Sequence, residues 1–595
     1  MTSARSMPNT RRSARPAALR QIPASRPTIA AGLLATGLAL LVGRLFTVQV
    51  LQHQDLSRRA TAQQRITLQP FTPRRPIVDA SGNLLAVDEE TFTVYVHPAM
   101  FSKPLEQVAA DFAPILGRTP ADLLATFRQQ ETGIRLANDL TRDTASRIEA
   151  LHLDGVDLAS EPSRIYPQGD LYSSLVGFLN ADREAQAGLE FSQRVLLERQ
   201  PLRTSIGRTG GGSVLPDGLP PGFLHQDDLR LQLTINGRLQ LAVRDALARQ
   251  LAKYHAKRGT ALVMDVRDGS LLSVVSLPTY DANHYWKSNP KLFTEWSIHD
   301  LYEPGSTFKP INIAIALEEK KIAPTDIVPD EGRITVGGWP INNHDFTTRG
   351  GRGALSIAQV LQYSSNVGMV HIMQRLPAVR YYEWLTRLGI DQAVGTDLPF
   401  TAAGQLKRRE DFVTQVIEPA TAAFGQGLSL TPLKLLQLHA AIANGGQLVV
   451  PHVVAGLVNT RGELYWQPPR PAAKRLFSPE TSHTVTELME TVVQSGSGKI
   501  ARIPGYRIAG KTGTAQKAEN GIYISGARIT SFIATLPVEN PRYAVLVVVD
   551  EPKGDDAYGS TVAAPVAKRM IESLISFEAL APNSAAAATR NQNKP

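Results

Sequence analysis

Residues 303–310 read Glu303-Pro304-Gly305-Ser306-Thr307-Phe308-Lys309-Pro310. A Pro-Gly turn runs into an apolar stretch, Ile311 to Leu317, of helical type. Pro310 fits only the first turn of a helix. The helix is therefore expected to begin close to Ser306, whose hydroxyl would sit near the positive end of the helix dipole. Lys309 follows three residues later, on the same face and within reach of that hydroxyl. An amine beside a hydroxyl is the pairing of a base with a nucleophile. S-x-x-K alone is weak, since about one or two chance matches are expected in a chain this long. A helix cap followed by a surface lysine reads equally well at this point.

Two further short motifs follow. Tyr363-Ser364-Ser365-Asn366 lies in a helix-rich region, and Ser364 and Asn366 near a turn can both point into a cleft. Lys511-Thr512-Gly513-Thr514 follows a strand-like run expected over Tyr506 to Thr512. Such a strand offers a cation and a bare backbone edge, suited to a carboxylate and to β-addition of a peptide. Gly505 to Thr512 also fits G-x-x-x-x-G-K-T. A phosphate loop, however, needs a helix to start at Lys511-Thr512. Here Gly513 to Gln516 reads as extended, with a turn expected over Ala518 to Gly521.

Working outward, strand patterns stand at Leu229–Ile235, Gly259–Val266 and Ser270–Pro278, and return at Ile529–Thr535 and Tyr543–Val549. Helical patterns fill the interval from Thr307 to about Asn444. One is well punctuated, with Thr431 as N-cap, Pro432 at the first position and Asn444-Gly445 as stop. A last helix is expected from about Pro565 to Ser576. Strands at both ends and helices between imply an α+β layer fold whose antiparallel sheet is closed by the chain ends meeting. Upstream, Thr91 to Val96 alternates like a strand and Arg142 to His152 has helical spacing. His53 to Leu68 reads as a helical stalk. Gly207 to Gly222 is rich in glycine and proline and reads as a linker.

Thr28 to Leu51 carries one charge, Arg44, in an otherwise apolar or weakly polar run. That is long enough to span a bilayer, which takes about 20 residues. Residues 1–27 hold six arginines and no acid, leaving +3 of the +9 net charge for the remainder. The positive-inside rule then keeps the N-terminus in the cytoplasm. No A-x-A site follows the run, so an uncleaved anchor is expected. The body has no basic stripe with interleaved aromatics, which argues against nucleic acid. The absence of cysteine excludes thiol nucleophiles, disulfides and cysteine-ligated zinc. No H-E-x-x-H occurs, His439 reads as a core residue, and no G-x-S-x-G frames a serine. No metal or other cofactor is expected.

S-x-x-K, S-x-N and K-T-G in this order resemble the signature set of penicillin-binding proteins and class A β-lactamases. Arg164-Ile165-Tyr166-Pro167 and Gly188-Leu189-Glu190 resemble the pedestal of class B penicillin-binding proteins. Thr279 to Asn283, Gly425-Gln426-Gly427 and Ala557 to Val566 are similar to further segments of that family. Arg75 stands where the family usually has Gly, and Asn236 where it usually has Asp. The K-T-G-T-A-Q box and Ala563-Ala564-Pro565 look most like the division-specific, FtsI-type members. Elongation-type relatives more often have serine after the lysine. No glycosyltransferase domain fits between residues 52 and 225.

The resemblance implies a basic cytoplasmic tail (1–27), a transmembrane helix (28–51), an elongated non-catalytic pedestal (52–225), a transpeptidase domain (226–576) with an antiparallel sheet flanked by helices, and a disordered tail (577–595). It implies a peptidoglycan D,D-transpeptidase, with Ser306 as nucleophile, Lys309 as base and Ser364 as proton relay. Asn366 would hold the donor backbone, and Lys511, Thr512, Gly513 and Thr514 the terminal carboxylate and peptide edge. Backbone N–H groups of Ser306 and Thr514 would form the oxyanion hole. Burial and the Lys511 cation would lower the Lys309 pKa. Implied partners are stem peptides ending in D-Ala-D-Ala, β-lactams, the membrane, an FtsW-type glycosyltransferase and other division proteins. An elongation-type enzyme, a D,D-carboxypeptidase and a β-lactam sensor of the same fold are the alternatives.

Overall fold

A computed structural model of the protein describes residues 25–68, 72–199, 204–207, 227–519 and 522–583. The arginine-rich start, nearly all of the expected linker and the last twelve residues lie outside these. The chain divides into two compact units, Met1–Phe71 with Pro201–His225, and Thr72–Gln200 with Gln226–Pro595.

In the first unit, a helix spans Ser25–Phe46 and continues as a wider turn over Thr47–Leu51. Thr28–Leu51 has a mean hydropathy of 2.0 over its most apolar window. At about 1.5 Å per residue such a helix covers the roughly 30 Å of a bilayer core. Two of its hydroxyls are satisfied internally, as such a solvent demands: those of Thr36 and Thr47 donate to the carbonyls of Gly32 and Gly43. The stalk is only partly helical. The helix ends at Gln64, and Arg65–Leu68 is a strand paired antiparallel with Thr204–Gly207. Backbone pairing to a segment far along the chain has overridden local helical preference.

In the second unit, the sequence builds a five-stranded antiparallel sheet from β1 (Arg258–Asp265), β2 (Leu271–Leu277), β3 (Ala509–Glu519), β4 (Ile522–Leu536) and β5 (Tyr543–Asp550), in the order β3-β4-β5-β1-β2. The two ends of the module meet where β5 pairs with β1, as the segregation of strands implied. β5 is buried along its whole length. Its residues alternate between two cores: Leu546 and Val548 face one, Val545 and Val547 the other. Helices α1 (Gly237–Lys253) and α7 (Ala563–Phe577) cover the second face. The first is covered by α2 (Lys309–Glu318), α3 (Ile357–Tyr363), α4 (Asn366–Met373), α5 (Pro432–Ala443) and most of α6 (Pro479–Ser495). α5 has the N-cap Thr431 and Pro432 that its sequence announces. Asn236 caps α1 by accepting from the Leu239 N–H, a role that aspartate would fill equally.

Two strand boundaries differ from the sequence reading. β3 begins at Ala509, because Gly505 turns the chain with φ +89° and Arg507 is drawn off the ladder to Glu490. Its far end runs on to Glu519, which pairs with Ile522, so Ala518 and Glu519 are strand rather than turn. The stretch between residues 327 and 356, expected to be helical, holds two small strand pairs, Ile327–Asp330 with Gly353–Ser356 and Arg333–Val336 with Trp339–Asn342. Glycines 332, 337, 338 and 353, all at positive φ, interrupt any helix there.

A second sheet crosses residue 225. Leu84–Val96 pairs with Ile134–Leu140, Val156–Ile165 and Ile77–Val78, and Ile77–Val78 runs parallel to Arg230–Leu233. Beside it lies a buried charge cluster made by the two pedestal motifs. Arg164 donates to Glu190 at 2.7 Å and to Asp88 at 3.1 Å, and Arg74 to Glu190 at 3.1 Å. Arg75, the departure from glycine, grips Asp227 through two hydrogen bonds of 2.8 and 3.0 Å. Glu190→Ala is expected to cost about 3–5 kcal/mol, because it takes the shared buried carboxylate from two guanidinium groups and leaves Arg164 only the carboxylate of Asp88 and Arg74 only that of Glu198. Chemical denaturation checks this, and a loss below 1 kcal/mol would show the cluster to be dispensable.

Candidate active site

The turn that carries Ser306 is built by close backbone approach. Gly305 adopts φ +54° and its N–H donates to the Gly425 carbonyl at 2.9 Å. A side chain on Gly425 would come within 2.1 Å of the Gly305 oxygen, which explains the glycine of the G-Q-G loop. Ser306 lies in a single helical turn, Gly305–Phe308, that leads into α2. Behind it, buried His439 meets the Thr307 carbonyl through Nε2 at 2.8 Å. Burial lowers its pKa to about 4, so it stays neutral and belongs to the core.

Ser364 is the hub. It caps α3 in the left-handed region, φ +58°, and breaks the chain between α3 and α4. A non-glycine residue held there signals a conformation imposed by its surroundings. The break aims its hydroxyl into the cleft, where it donates to Ser306 Oγ at 2.9 Å and accepts from Lys511 Nζ at 2.9 Å. Lys309 Nζ lies 3.3 Å from the same oxygen. Lys309 is fully buried, and its stronger bonds go to the Ser364 carbonyl at 2.6 Å and Asn366 Oδ1 at 2.7 Å. Among the described residues no hydrogen bond joins Lys309 to Ser306 directly. The two share a helix face, but the amine is drawn to these two acceptors, and Ser364 bridges the gap.

Both lysines are tuned by their surroundings. Burial holds Lys309 well below the ordinary lysine range, the Lys511 cation adds to this, and Asp330 opposes it. Burial alone lowers Lys511 to about 7. Both shifts favour the neutral amine, and the Lys511 cation adds to the push on Lys309.

β3 is the edge strand of its sheet, the position at which a peptide can add as a further strand. Lys511 and Thr512 pair with Ile533 and Phe532 inside the strand, and no helix starts there, so the phosphate-loop pattern is accidental. Thr512 is held by Ser497 at 2.6 Å, and the Gly559 N–H donates to Thr514 Oγ1 at 3.0 Å. Gly513 has a steric reason: a Cβ there would lie 2.4 Å from Ser531 Oγ and 2.9 Å from Thr307 Cγ2. The serine turn can lie alongside β3 only because that side chain is missing.

The sequence reading missed Asn343 and Asp330. Asn343 Oδ1 accepts from the Asn366 N–H at 2.7 Å, and its Nδ2 donates to Asp330 Oδ1 at 2.7 Å. Together they pin the start of α4, hence Asn366. No short motif marks them, because they come from the small strand pairs that periodicity concealed.

The penicillin binding protein transpeptidase domain model matches residues 259–572, and the penicillin-binding protein dimerisation domain model matches residues 71–200. The chain belongs to the penicillin-binding protein family. Within it, this penicillin-binding protein is of class B and resembles the FtsI type. It is 39% identical over 92% of its length to a peptidoglycan D,D-transpeptidase FtsI homolog of Mesostigma viride, covering 95% of that protein. It is 30% identical to peptidoglycan D,D-transpeptidase FtsI of Escherichia coli K12, over 90% of this chain and 89% of that one. Stage V sporulation protein D of Bacillus subtilis is 32% identical over 84% of this chain and 77% of its own length. The fold matches a peptidoglycan synthetase of Bifidobacterium adolescentis with a TM-score of 0.66 at 24% identity, covering 88% of this chain and 98% of that one. The expected α+β fold and serine-type transpeptidase class are borne out.

Proposed function

We propose that this protein cross-links peptidoglycan stem peptides during septal wall synthesis. One observation carries the reading: a hydrogen-bonded chain runs from buried Lys309 through Ser364 to Ser306, beside a sheet-edge strand. Ser306 Oγ attacks the carbonyl carbon between the two D-alanines, and its proton passes towards Lys309. Ser364 relays a proton to the departing amine. The C–N bond breaks, D-alanine leaves and an ester remains. An amine of a neighbouring stem attacks that ester, forming the cross-link and restoring Ser306. Asn366 holds the donor backbone, while Lys511, Thr512 and Thr514 hold the carboxylate. Gly513 leaves room for the serine turn beside β3. The oxyanion meets the N–H groups of Ser306 and Thr514.

The supporting layout is a tail over 1–27, an anchor over 28–51 with its N-terminus in the cytoplasm, a pedestal over 52–225, the catalytic domain over 226–576 and a tail over 577–595. An FtsW-type glycosyltransferase would supply glycan strands, and β-lactams would acylate Ser306. The test is a stem pentapeptide with a separate amine acceptor: purified protein should release D-alanine and form the amide-linked product. Release with hydrolysis alone would make it a carboxypeptidase. Depletion in cells should give filaments, whereas spheres would assign it to elongation.

A further inference from the structure

The proposed reaction leaves one part of the donor unplaced. Donor and acceptor are the same kind of stem, and the acceptor attacks with an amine, so the donor also carries a free amine. Its carboxylate end lies at Lys511 and Thr512 and its reacting carbonyl beside Ser306 and Thr514. The residue preceding the D-alanyl pair therefore runs along β3 towards Gln516. A cavity of about 650 Å³ opens there, lined by Glu303, Lys407, Glu418, Gln516 and Tyr523 among others.

Most carboxylates of this cavity are already neutralised. Asp550 meets Arg258 at 3.0 Å and Lys517 at 2.9 Å, Asp300 meets Arg258, and Glu418 meets Lys407 at 3.6 Å. Glu303 is different. Among the described residues it is in no ion pair; it accepts from the Gly427 N–H at 2.9 Å and from the Tyr523 hydroxyl at 3.0 Å. Burial holds its carboxyl above the ordinary range, against the pull of these hydrogen bonds, the Gln426 side chain and the nearby Lys407 charge, and a bound cation would offset that cost further. It stands three residues before the nucleophile, on the acyl side of the scissile bond.

We infer that Glu303, aided by Tyr523, binds the free side-chain ammonium of the residue preceding the D-alanyl pair, and so selects stems that carry an unmodified diamino acid. This rests on the transpeptidase reading, which fluorescent penicillin labelling of the full-length protein reports separately. The probes are an acyl-L-lysyl-D-alanyl-D-alanine peptide and its Nε-acetylated counterpart, with D-alanine release measured below KM. The full-length protein should prefer the free amine by roughly tenfold or more, the scale of a desolvated charge pair. Glu303→Gln should bring that ratio close to one, and Tyr523→Phe should lower it severalfold. Because each variant is read as a ratio of two substrates, partial loss of folded protein cancels. Equal rates on the two peptides in the unaltered protein, or a ratio undiminished in Glu303→Gln, would overturn the inference. Absent penicillin labelling would instead remove the reading beneath it.

Discussion

Ser306→Ala is expected to abolish covalent labelling by a fluorescent penicillin. The hydroxyl, in the turn that leads into α2, meets Ser364 Oγ at 2.9 Å. Without it no acyl ester can form, whatever else the cleft binds. Turnover should fall by about 10⁶-fold, the size of effect seen when a serine nucleophile is removed. The fold should survive, because Ser364 Oγ keeps its bond from Lys511 and Ser306 is only partly buried. Gel fluorescence and intact mass give the readout. Full labelling of the alanine variant would end the assignment of Ser306.

Lys309→Ala should slow acylation by about 10²–10⁴-fold, the range for loss of a positioned base. The pH dependence separates its role from a structural one. A lysine base acts when neutral, so kcat/KM for acylation should rise as pH climbs through the depressed Lys309 pKa. It should fall again above about 7, where Lys511 loses the proton that attracts the substrate carboxylate. Bound carboxylate favours charged Lys511, so the falling limb in kcat should lie at higher pH than in kcat/KM. In Lys309→Ala the rising limb should vanish. Stopped-flow acylation across pH 5 to 9, beside a thermal melt, makes the comparison. An unchanged rate, or a rising limb that persists, would rule out Lys309 as the base.

Much of this was legible in the chain. Strands 258–265, 271–277 and 543–550 are apolar runs of strand length, and α5 carries its own cap and stop. Their boundaries came out close because burial on both faces leaves no polar interruption to misplace. The strand pairs between 327 and 356 were hidden for the opposite reason. They are four residues each, half exposed, and stabilised by partners rather than by pattern. The same holds for Arg65–Leu68, whose partner lies more than 130 residues away.

By itself the sequence singled out the groups proposed to carry the chemistry. Ser306 and Lys309 are fixed on one face by three residues of helix, and Lys511 and Gly513 on one strand edge, because local geometry sets those relations. Only the tertiary structure decided how the groups meet. α3 packs on α6 and α6 on β3, and the break between α3 and α4 sets left-handed Ser364 as the link between Lys309, Lys511 and Ser306. Asp330 and Asn343, on either side of the Arg333–Asn342 hairpin, then hold Asn366, and no motif marks them. Relations across 58 and 147 residues depend on how helices and sheet pack, and short-range spacing carries no record of that.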